Sequence, residues 1–332
     1  MYMESTEIIA SVINNALPIV AASPVIVKLF DMVGKLVKTL YAPTLVFKNG
    51  KATVDVEMYK KKSELELMAG ASFTLSEVVR LKNFLNSVHY ASLHLSDTEN
   101  TDIETDESLD IEMDFDWLMR FFDAVGYISS EELQQLWGRV LAGEVKKPRS
   151  CSLRTLDILR NMTSEEANIF LKLARLIVVS GDCYFIFSEG FNGDTTTSIE
   201  CQKFIRNYGL NYSEHIRIMV DCGLLTTDSL DIATYFEEPV LALHNGKMVA
   251  FFMSETPHET PFVIESYSLT SSGTEIYKII KREKAFIPDI EYMLLCLRHC
   301  RNTNEAITVT AHKGYMADEI DGKTHIETEN LL

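Results

Sequence analysis

The sequence predicts a mainly α-helical α+β protein. A helical N-terminal region and a four-helix core precede a winged-helix-like α/β domain. Three observations predict this. The 332 residues are 46% hydrophobic and 24% charged, which is typical of a soluble chain with more than one core. Apolar residues recur at three- and four-residue steps through the first half, and short apolar strands alternate with helices after residue 179.

Residues 1–93 are predicted to form the N-terminal helical region. One apolar stripe ends before Pro43 and consists of Val25, Leu29, Met32, Val33, Leu36 and Leu40. Lysines occupy the other side of this helix. Within the same region, Asn49-Gly50 between two short apolar runs predicts a β-hairpin at 44–56.

The segment Ile8–Val27 contains no charged residue, but its prolines and asparagines disfavour a membrane-spanning helix. We interpret it as part of a buried or amphipathic helical hairpin. Peripheral membrane contact through Ile8–Leu40 is the alternative, because a cationic amphipathic helix can bind a membrane surface or a partner helix.

Residues 94–115 are predicted to be an acidic linker. Ten of the chain's acidic residues lie between Asp97 and Asp116, with no Lys or Arg among them. The run lacks the glycine of a calcium-binding loop. The net charge of the whole chain is −17, which argues against sequence-independent nucleic-acid binding and against a polybasic membrane anchor.

Residues 116–179 are predicted to be the four-helix core, because each helix has its own start or stop signal. Asp116 is suited to cap the first helix, and Ser129 with Glu132 and Thr163 with Glu166 have the spacing of capping boxes. Gly143 is predicted to end the second helix, and Pro148 separates it from the third.

Residues 180–285 are predicted to be the winged-helix-like domain. A strand at Cys183–Phe187 precedes two helices, Ile199–Tyr208 and Ser213–Cys222. Leu241–Phe252 then has the clearest hairpin pattern, turning at Asn245-Gly246, and we interpret it as the wing. Residues 286–332 are predicted to add a helix, a strand and a tail that frays from Asp318 onward.

The sequence contains no motif that predicts catalysis, and we predict no catalytic, cofactor-binding or metal-binding residue. No P-loop, dinucleotide-binding or nucleophile-elbow pattern is present. The six cysteines form no C-x-x-C pair and are interpreted as buried, reduced thiols of a cytoplasmic protein. Cys296 and Cys300 have the spacing of half a metal site, but a second ligand pair is missing, so we favour packing in a core.

The run Ile128–Glu144, together with Pro148–Leu159 and Thr163–Leu173, resembles the signature of a bacterial family of unknown function. The run Tyr267–Ile276 is similar to a second element of that family. The same two elements occur in abortive-infection alpha-type proteins associated with phage defence. The resemblance implies a bacterial origin and a defence role, and it brings no catalytic residues.

The polar and aromatic marks of the signature are the candidate site residues: Trp137, Arg139, Glu144, Arg149 and Arg154. In a structural interpretation, Trp137 anchors the core. Glu144 and one arginine then tie the Gly143–Pro148 loop to the next helix as an ion pair and cap. In a functional interpretation, the same residues form a partner-binding surface.

These observations favour a non-enzymatic bacterial interaction or regulatory protein that takes part in anti-phage defence. Its partner is expected to be a protein, either a second copy or the product of a neighbouring gene. One alternative is a winged-helix DNA-binding regulator, with His215 and Arg217 as its nucleic-acid contacts. The other alternative is a membrane-perturbing effector that acts through Ile8–Leu40.

Overall fold

The structure is a computed structural model. It describes residues 24–40, 45–48, 51–54, 75–98, 113–188, 196–232, 240–254, 262–282, 285–303, 307–316, 324–326 and 329–332. The chain divides into two compact units, Met1–Asn161 and Met162–Leu332. The fold class is α+β and mainly α-helical, as predicted.

The first unit contains a helical bundle and one small hairpin. Its helices are α1 (Pro24–Leu40), α2 (Leu75–Thr98), α3 (Phe115–Val125), α4 (Glu131–Lys146) and α5 (Leu153–Asn161). Strands β1 (Leu45–Lys48) and β2 (Lys51–Val54) form the antiparallel hairpin that was predicted at 44–56.

Helix α1 buries Leu29, Val33 and Leu36 of the predicted stripe, whereas Val25 and Met32 are half-buried and Leu40 is 38% exposed. Ile26, Leu29, Val33 and Leu36 are each fully buried, and the helix packs on α2 and α4. The spacing of three or four residues places them on one side of the helix. The apolar side of α1 is therefore used within the first unit. The part of the predicted membrane-contacting segment before Pro24 lies outside the described residues.

Helices α2 and α4 form the closest contact of the bundle. A Cβ atom at Gly138 would lie 2.6 Å from Cβ of Tyr90 and 2.9 Å from the backbone nitrogen of Ala91. Only glycine permits this approach. The buried Gln134 side chain donates to the carbonyl oxygen of Ile128 at 2.8 Å, and Asn83 donates to that of Gly126 at 2.9 Å. These bonds tie the α3–α4 connection to both helices.

The boundaries of the predicted linker and core differ from the structure. Helix α2 runs to Thr98, five residues into the predicted linker, because Ala91 and Leu95 continue its buried face. Residues 99–112 lie outside the described part of the chain. The division at Asn161 separates the predicted four-helix core: α3, α4 and α5 belong to the first unit, and the fourth helix belongs to the second.

The predicted start and stop signals of α3 and α4 differ from those in the structure. The N-cap of α3 is Asp114 rather than Asp116, and the N-cap of α4 is Ser130, which makes no side-chain capping bond. The predicted capping box at Ser129 is therefore absent. Helix α4 also continues past Gly143 to Lys146, because a glycine inside a packed helix need not end it.

The second unit is a sheet with helices packed on it. Its helices are α6 (Ser164–Ala174), α7 (Thr196–Asn207), α8 (Tyr212–Asp221), α9 (Ser271–Ile280) and α10 (Ile290–Thr303). Its strands are β3 (Val178–Ser180), β4 (Cys183–Phe187), β5 (Leu225–Ile232), β6 (Val240–His244), β7 (Met248–Ser254), β8 (Phe262–Leu269), β9 (Ile307–Met316) and β10 (Thr324–Ile326). Helix α6 opens with the predicted capping box: the Thr163 side chain accepts from the Glu166 N–H, and Glu166 accepts in return.

In the described residues, the strands form one antiparallel sheet in the order β10-β9-β7-β6-β3-β4-β8-β5. The predicted hairpin is present as β6 and β7. In a winged helix the wing connects two paired strands, but here β5 pairs with β8 and not with a strand of this hairpin. Strand β5 pairs with β8 along its whole length, and β8 also pairs with β4. The β6–β7 hairpin instead lies between β3 and β9, so the predicted position of the wing is corrected.

The predicted C-terminal part joins this same sheet. Strand β9 pairs with β7, and β10 pairs with β9. The tail is bonded where the structure describes it: the Leu331 N–H donates to the Ala311 carbonyl oxygen at 2.8 Å. The frayed tail predicted from Asp318 is therefore wrong for residues 324–326, which pair with β9, and for Asn330 and Leu331, which bond to Ala311 of β9.

Candidate functional site

The candidate site is built around the end of helix α4. Trp137, in the middle of that helix, is fully buried, and its ring contacts the ring of Phe121 edge-on at 5.4 Å. Phe121 in turn stacks on Trp117 at 5.3 Å. Trp137 therefore anchors the core, as the structural interpretation predicted, and its buried Nε1 has no hydrogen-bond partner within the described chain. Arg139, two residues further along α4, is half-buried.

Glu144 fixes the chain that follows α4, the α4–α5 loop (residues 147–152). Its side chain is only 1% exposed. The carboxylate accepts from the N–H of Arg149 at 2.6 Å, from the N–H of Cys151 at 3.0 Å and from the Ser150 hydroxyl at 3.3 Å. The predicted tie between Glu144 and the loop is present, but its donors are two backbone N–H groups and a serine hydroxyl rather than an arginine side chain.

Two opposing effects act on the Glu144 carboxyl group. Burial disfavours its charge and raises its pKa, while the donated bonds from Arg149 and Cys151 lower it. Burial dominates, so the pKa lies above the ordinary value. The group is thus both a structural acceptor and a buried titratable site.

Two further contacts hold the same loop. Nε1 of Trp117, on α3, donates to the carbonyl oxygen of Cys151 at 2.7 Å. The Ser152 side chain accepts from the Thr155 N–H at 3.3 Å and so caps α5. The loop is therefore bonded to α3, α4 and α5. Neither Trp117 nor Cys151 was among the predicted site residues.

Arg149 has an unusual backbone conformation. Its φ is 69°, and it is the one residue other than glycine with positive φ in the described chain. The N–H of Ser150 donates to the carbonyl oxygen of Lys147 at 3.1 Å. With Pro148 second and Arg149 third, these residues have the arrangement of a type II turn, whose third position favours glycine. Holding arginine there costs conformational free energy.

Arg154 also occupies an unfavourable position. It lies in the first turn of α5, which contains no acidic residue. The partial positive charge at the start of a helix favours anions and disfavours cations there. Arg154 and Arg149 are both exposed, and neither makes an ion pair within the described chain. Local stability therefore explains neither arginine.

These two arginines belong to a group of exposed cations within nine residues. We call Lys146, Lys147, Arg149 and Arg154 the cationic surface. The two arginines were predicted as site residues from the sequence, whereas the two lysines were not. The signal that could have found the lysines is the run Lys146-Lys-Pro-Arg149, which has no acidic neighbour apart from Glu144 at its start.

The two candidate nucleic-acid contacts lie on α8. The backbone N–H of Asn211 donates to Nδ1 of His215 at 3.3 Å, so His215 takes part in the local turn that precedes the helix. Arg217 is exposed, and Glu214 and Asp221 are exposed on the same helix. The charge presented by α8 is therefore not predominantly basic.

The other predicted features contain no further assembled site. Cys296 and Cys300 are both buried on α10, whereas Cys183 is exposed, contrary to expectation. Within the described residues, no group of three or more His, Cys, Asp or Glu could hold a metal ion. Lys28 and Lys35 of α1 line a groove of about 460 Å³ beside Phe115. No helix in the described part of the chain is long and apolar enough to cross a membrane.

The second element of the resemblance lies in the second unit, where β8 leads into α9. The Thr270 hydroxyl donates to the carbonyl oxygen of Gly223 at 2.7 Å and accepts from the N–H of Gly273 at 3.1 Å. A Cβ atom at Gly273 would lie 2.2 Å from the carbonyl oxygen of Leu224. Capping and close packing therefore explain this element.

Comparison with known proteins identifies one family. The model of the family described as protein of unknown function (DUF2806) matches residues 94–291, which include more than half of the chain and both elements of the resemblance. No curated protein and no solved structure matches the chain.

Proposed function

The chain belongs to the DUF2806 family, whose function is unknown, and we propose that it is a non-enzymatic bacterial interaction protein that regulates anti-phage defence. One observation carries the proposal of an interaction role: Arg149 and Arg154 are exposed at positions where the backbone and the helix dipole disfavour them. A side chain that lowers the stability of the fold locally is expected where that side chain binds a partner molecule.

The defence role rests on the resemblance of the two sequence elements to abortive-infection alpha-type proteins. Plating of phage tests it, using cells that express the chain together with its flanking genes. We expect fewer plaques with the gene than without it. Equal plaque counts across a broad panel of phages would contradict the defence role.

A loop variant links that phenotype to the cationic surface. Arg149→Gln removes the charge and keeps a polar side chain with a Cβ atom, so plaque counts should return toward those of cells without the gene. Lys203→Gln on α7 is the matched control, because it removes one exposed cation from the second unit. We expect it to keep protection. If Arg149→Gln and Lys203→Gln protect cells equally, the cationic surface has no part in the defence role.

A DNA-binding regulator is the second candidate, and the connectivity of the second unit favours it. Helix α6, strand β4, helices α7 and α8, and strands β5 and β8 occur in the chain order of a winged helix, with the strands ordered β4-β8-β5, although β3 intervenes after α6 and the β6–β7 hairpin intervenes between β5 and β8. Helix α8 then takes the place of the recognition helix. The exposed Glu214 and Asp221 on that helix disfavour phosphate contact.

A gel shift at low salt tests this candidate with genomic DNA fragments. If the protein binds DNA through α8, Arg217→Ala weakens the shift and Lys203→Gln changes it less, because Arg217 supplies the base or phosphate contact. Absence of a shift at excess DNA removes the candidate.

A further inference from the structure

The cationic surface differs in charge from the rest of the chain. Lys146, Lys147, Arg149 and Arg154 carry four positive charges, and the whole chain carries −17, so the remainder carries −21 (−17 − 4). Glu144, the carboxylate nearest to Lys146 in sequence, is buried and bonded to the loop, so Asp157, three residues beyond Arg154, is the nearest exposed carboxylate in sequence. An anionic ligand would therefore find a local positive field here on an otherwise acidic protein.

The donors that this surface presents to a ligand are the exposed side chains of Lys147, Arg149 and Arg154. The N–H groups of Arg149 and Cys151, which could have held a small anion, already donate to Glu144. A guanidinium group presents a planar pair of N–H donors, which matches a carboxylate and forms two parallel bonds with it. Several separated cations suit a chain of carboxylates better than one compact anion.

The loop that bears these side chains is already ordered. Trp117 bonds Cys151, Glu144 bonds three consecutive residues and Ser152 caps α5. Binding therefore requires little ordering of the backbone, which lowers the entropic cost of association. The left-handed turn fixes the backbone position from which the Arg149 side chain extends.

We propose that the cationic surface binds a carboxylate-rich segment of a partner protein, with Arg149 and Arg154 as its principal contacts. This inference rests on the proposed interaction function and names the chemistry of the partner. A nucleic acid is disfavoured as the ligand, because a long polyanion would also meet the −21 charge of the remaining chain. A peptide of a few Asp and Glu residues experiences less of that repulsion.

Fluorescence anisotropy with the full chain tests the proposal. The probe is a labelled peptide of alternating Glu and Ser, and the comparison probes are a Gln-Ser peptide and a random single-stranded DNA. We expect the Glu-Ser peptide to bind, the Gln-Ser peptide not to bind, and added salt to weaken binding.

The variants separate binding from folding. Arg149→Gln and Arg154→Gln should each weaken peptide binding about tenfold, the loss of one charge-assisted contact. Lys203→Gln should leave it unchanged. Arg149→Gly should weaken binding as much as Arg149→Gln and yet raise the thermal midpoint, because glycine relieves the left-handed strain. Weak binding by this variant is then not a consequence of misfolding.

Three results would overturn the proposal: no binding of the Glu-Ser peptide at low salt, equal affinity in wild type and both arginine variants, or tighter binding of DNA than of the peptide. The plating experiment and the peptide-binding experiment can fail separately, and each failure contradicts a different proposal. Protection that depends on Arg149 without peptide binding overturns only the partner chemistry. Peptide binding through Arg149 without any protection supports the surface and contradicts the defence role.

Discussion

The α4–α5 loop of the first unit and the α8–β5 corner of the second both contain left-handed backbone. In the corner that residue is Gly223, with φ 74°, and the Thr270 hydroxyl donates to its carbonyl oxygen. In the loop it is Arg149, with φ 69°, and its N–H donates to Glu144. Glycine adopts this conformation without steric cost, whereas arginine does not.

The glycine in the corner and the arginine in the loop indicate two different reasons why a sequence element is distinctive: the stability of the fold and the binding of a partner. At the corner, each distinctive residue has a packing or capping role, and Gly273 permits a contact that no larger residue allows. At the loop, Trp117 of α3 and Glu144 of α4 hold the backbone in place, whereas we expect arginine at position 149 to be less stable than glycine. The corner can therefore be explained by folding alone, and the loop cannot.

The largest effect is expected at the corner, from Gly273→Ala. The added Cβ would lie 2.2 Å from the backbone oxygen of Leu224, so α9 or β5 must shift. We expect the second unit to lose about 3–5 kcal/mol of unfolding free energy, measured by urea denaturation. Gly181→Ala is the control, since nothing lies within 4 Å of its added Cβ; its cost is the left-handed backbone alone, about 1 kcal/mol. Equal losses in both variants would refute the close-packing explanation.

The next effect tests the loop through Glu144→Ala. This change leaves the N–H groups of Arg149 and Cys151 without their acceptor. The expected loss is about 2–4 kcal/mol in the first unit, measured in the same way. Glu144→Gln, which keeps one acceptor oxygen, should lose less. If Glu144→Ala unfolds at the same urea concentration as wild type, the carboxylate does not hold the loop.

A smaller, pH-dependent effect distinguishes Glu144 from an exposed carboxylate. Its pKa is raised above 4.5 by burial, so the folded state holds the proton more tightly than the unfolded state. The stability from this group is fully present below pH 4.5 and is lost as pH rises through the raised pKa. The stability of wild type relative to Glu144→Gln should therefore fall with rising pH across that window. A constant difference, or a difference of the opposite sign, would contradict the effect of burial.

Local chemistry made some of this fold predictable. The Thr163 capping box and the stripe of α1 follow from residue type and spacing, and both are present. The sheet order could not be predicted, because β9 reaches β7 and β4 reaches β8 across long stretches of sequence. The end of α2 was predicted too early. The acidic run that begins at Asp97 was assigned to a linker starting at residue 94, although the apolar spacing of the helix continues to Leu95.

Several residues of the candidate site could be predicted from the sequence, but the hydrogen bonds that Glu144 accepts could not. The sequence indicates Glu144 as the tie to the loop, and a partner with charge, an arginine, is the natural expectation. The structure supplies backbone N–H groups instead, which no pattern of side chains reveals. The turn at Arg149 was equally hidden, because left-handed backbone is normally signalled by glycine or asparagine.

The most direct test of the central claim is the unfolding free energy of Arg149→Gly. If Arg149 is held at a cost to stability, glycine should raise the unfolding free energy of the first unit by about 0.5–1 kcal/mol. Arg149→Gln, which keeps a Cβ atom in the same turn, should leave it nearly unchanged. A variant Arg149→Gly that is no more stable than wild type, or is less stable, would show that Arg149 serves the fold and would contradict the loop as an interaction surface.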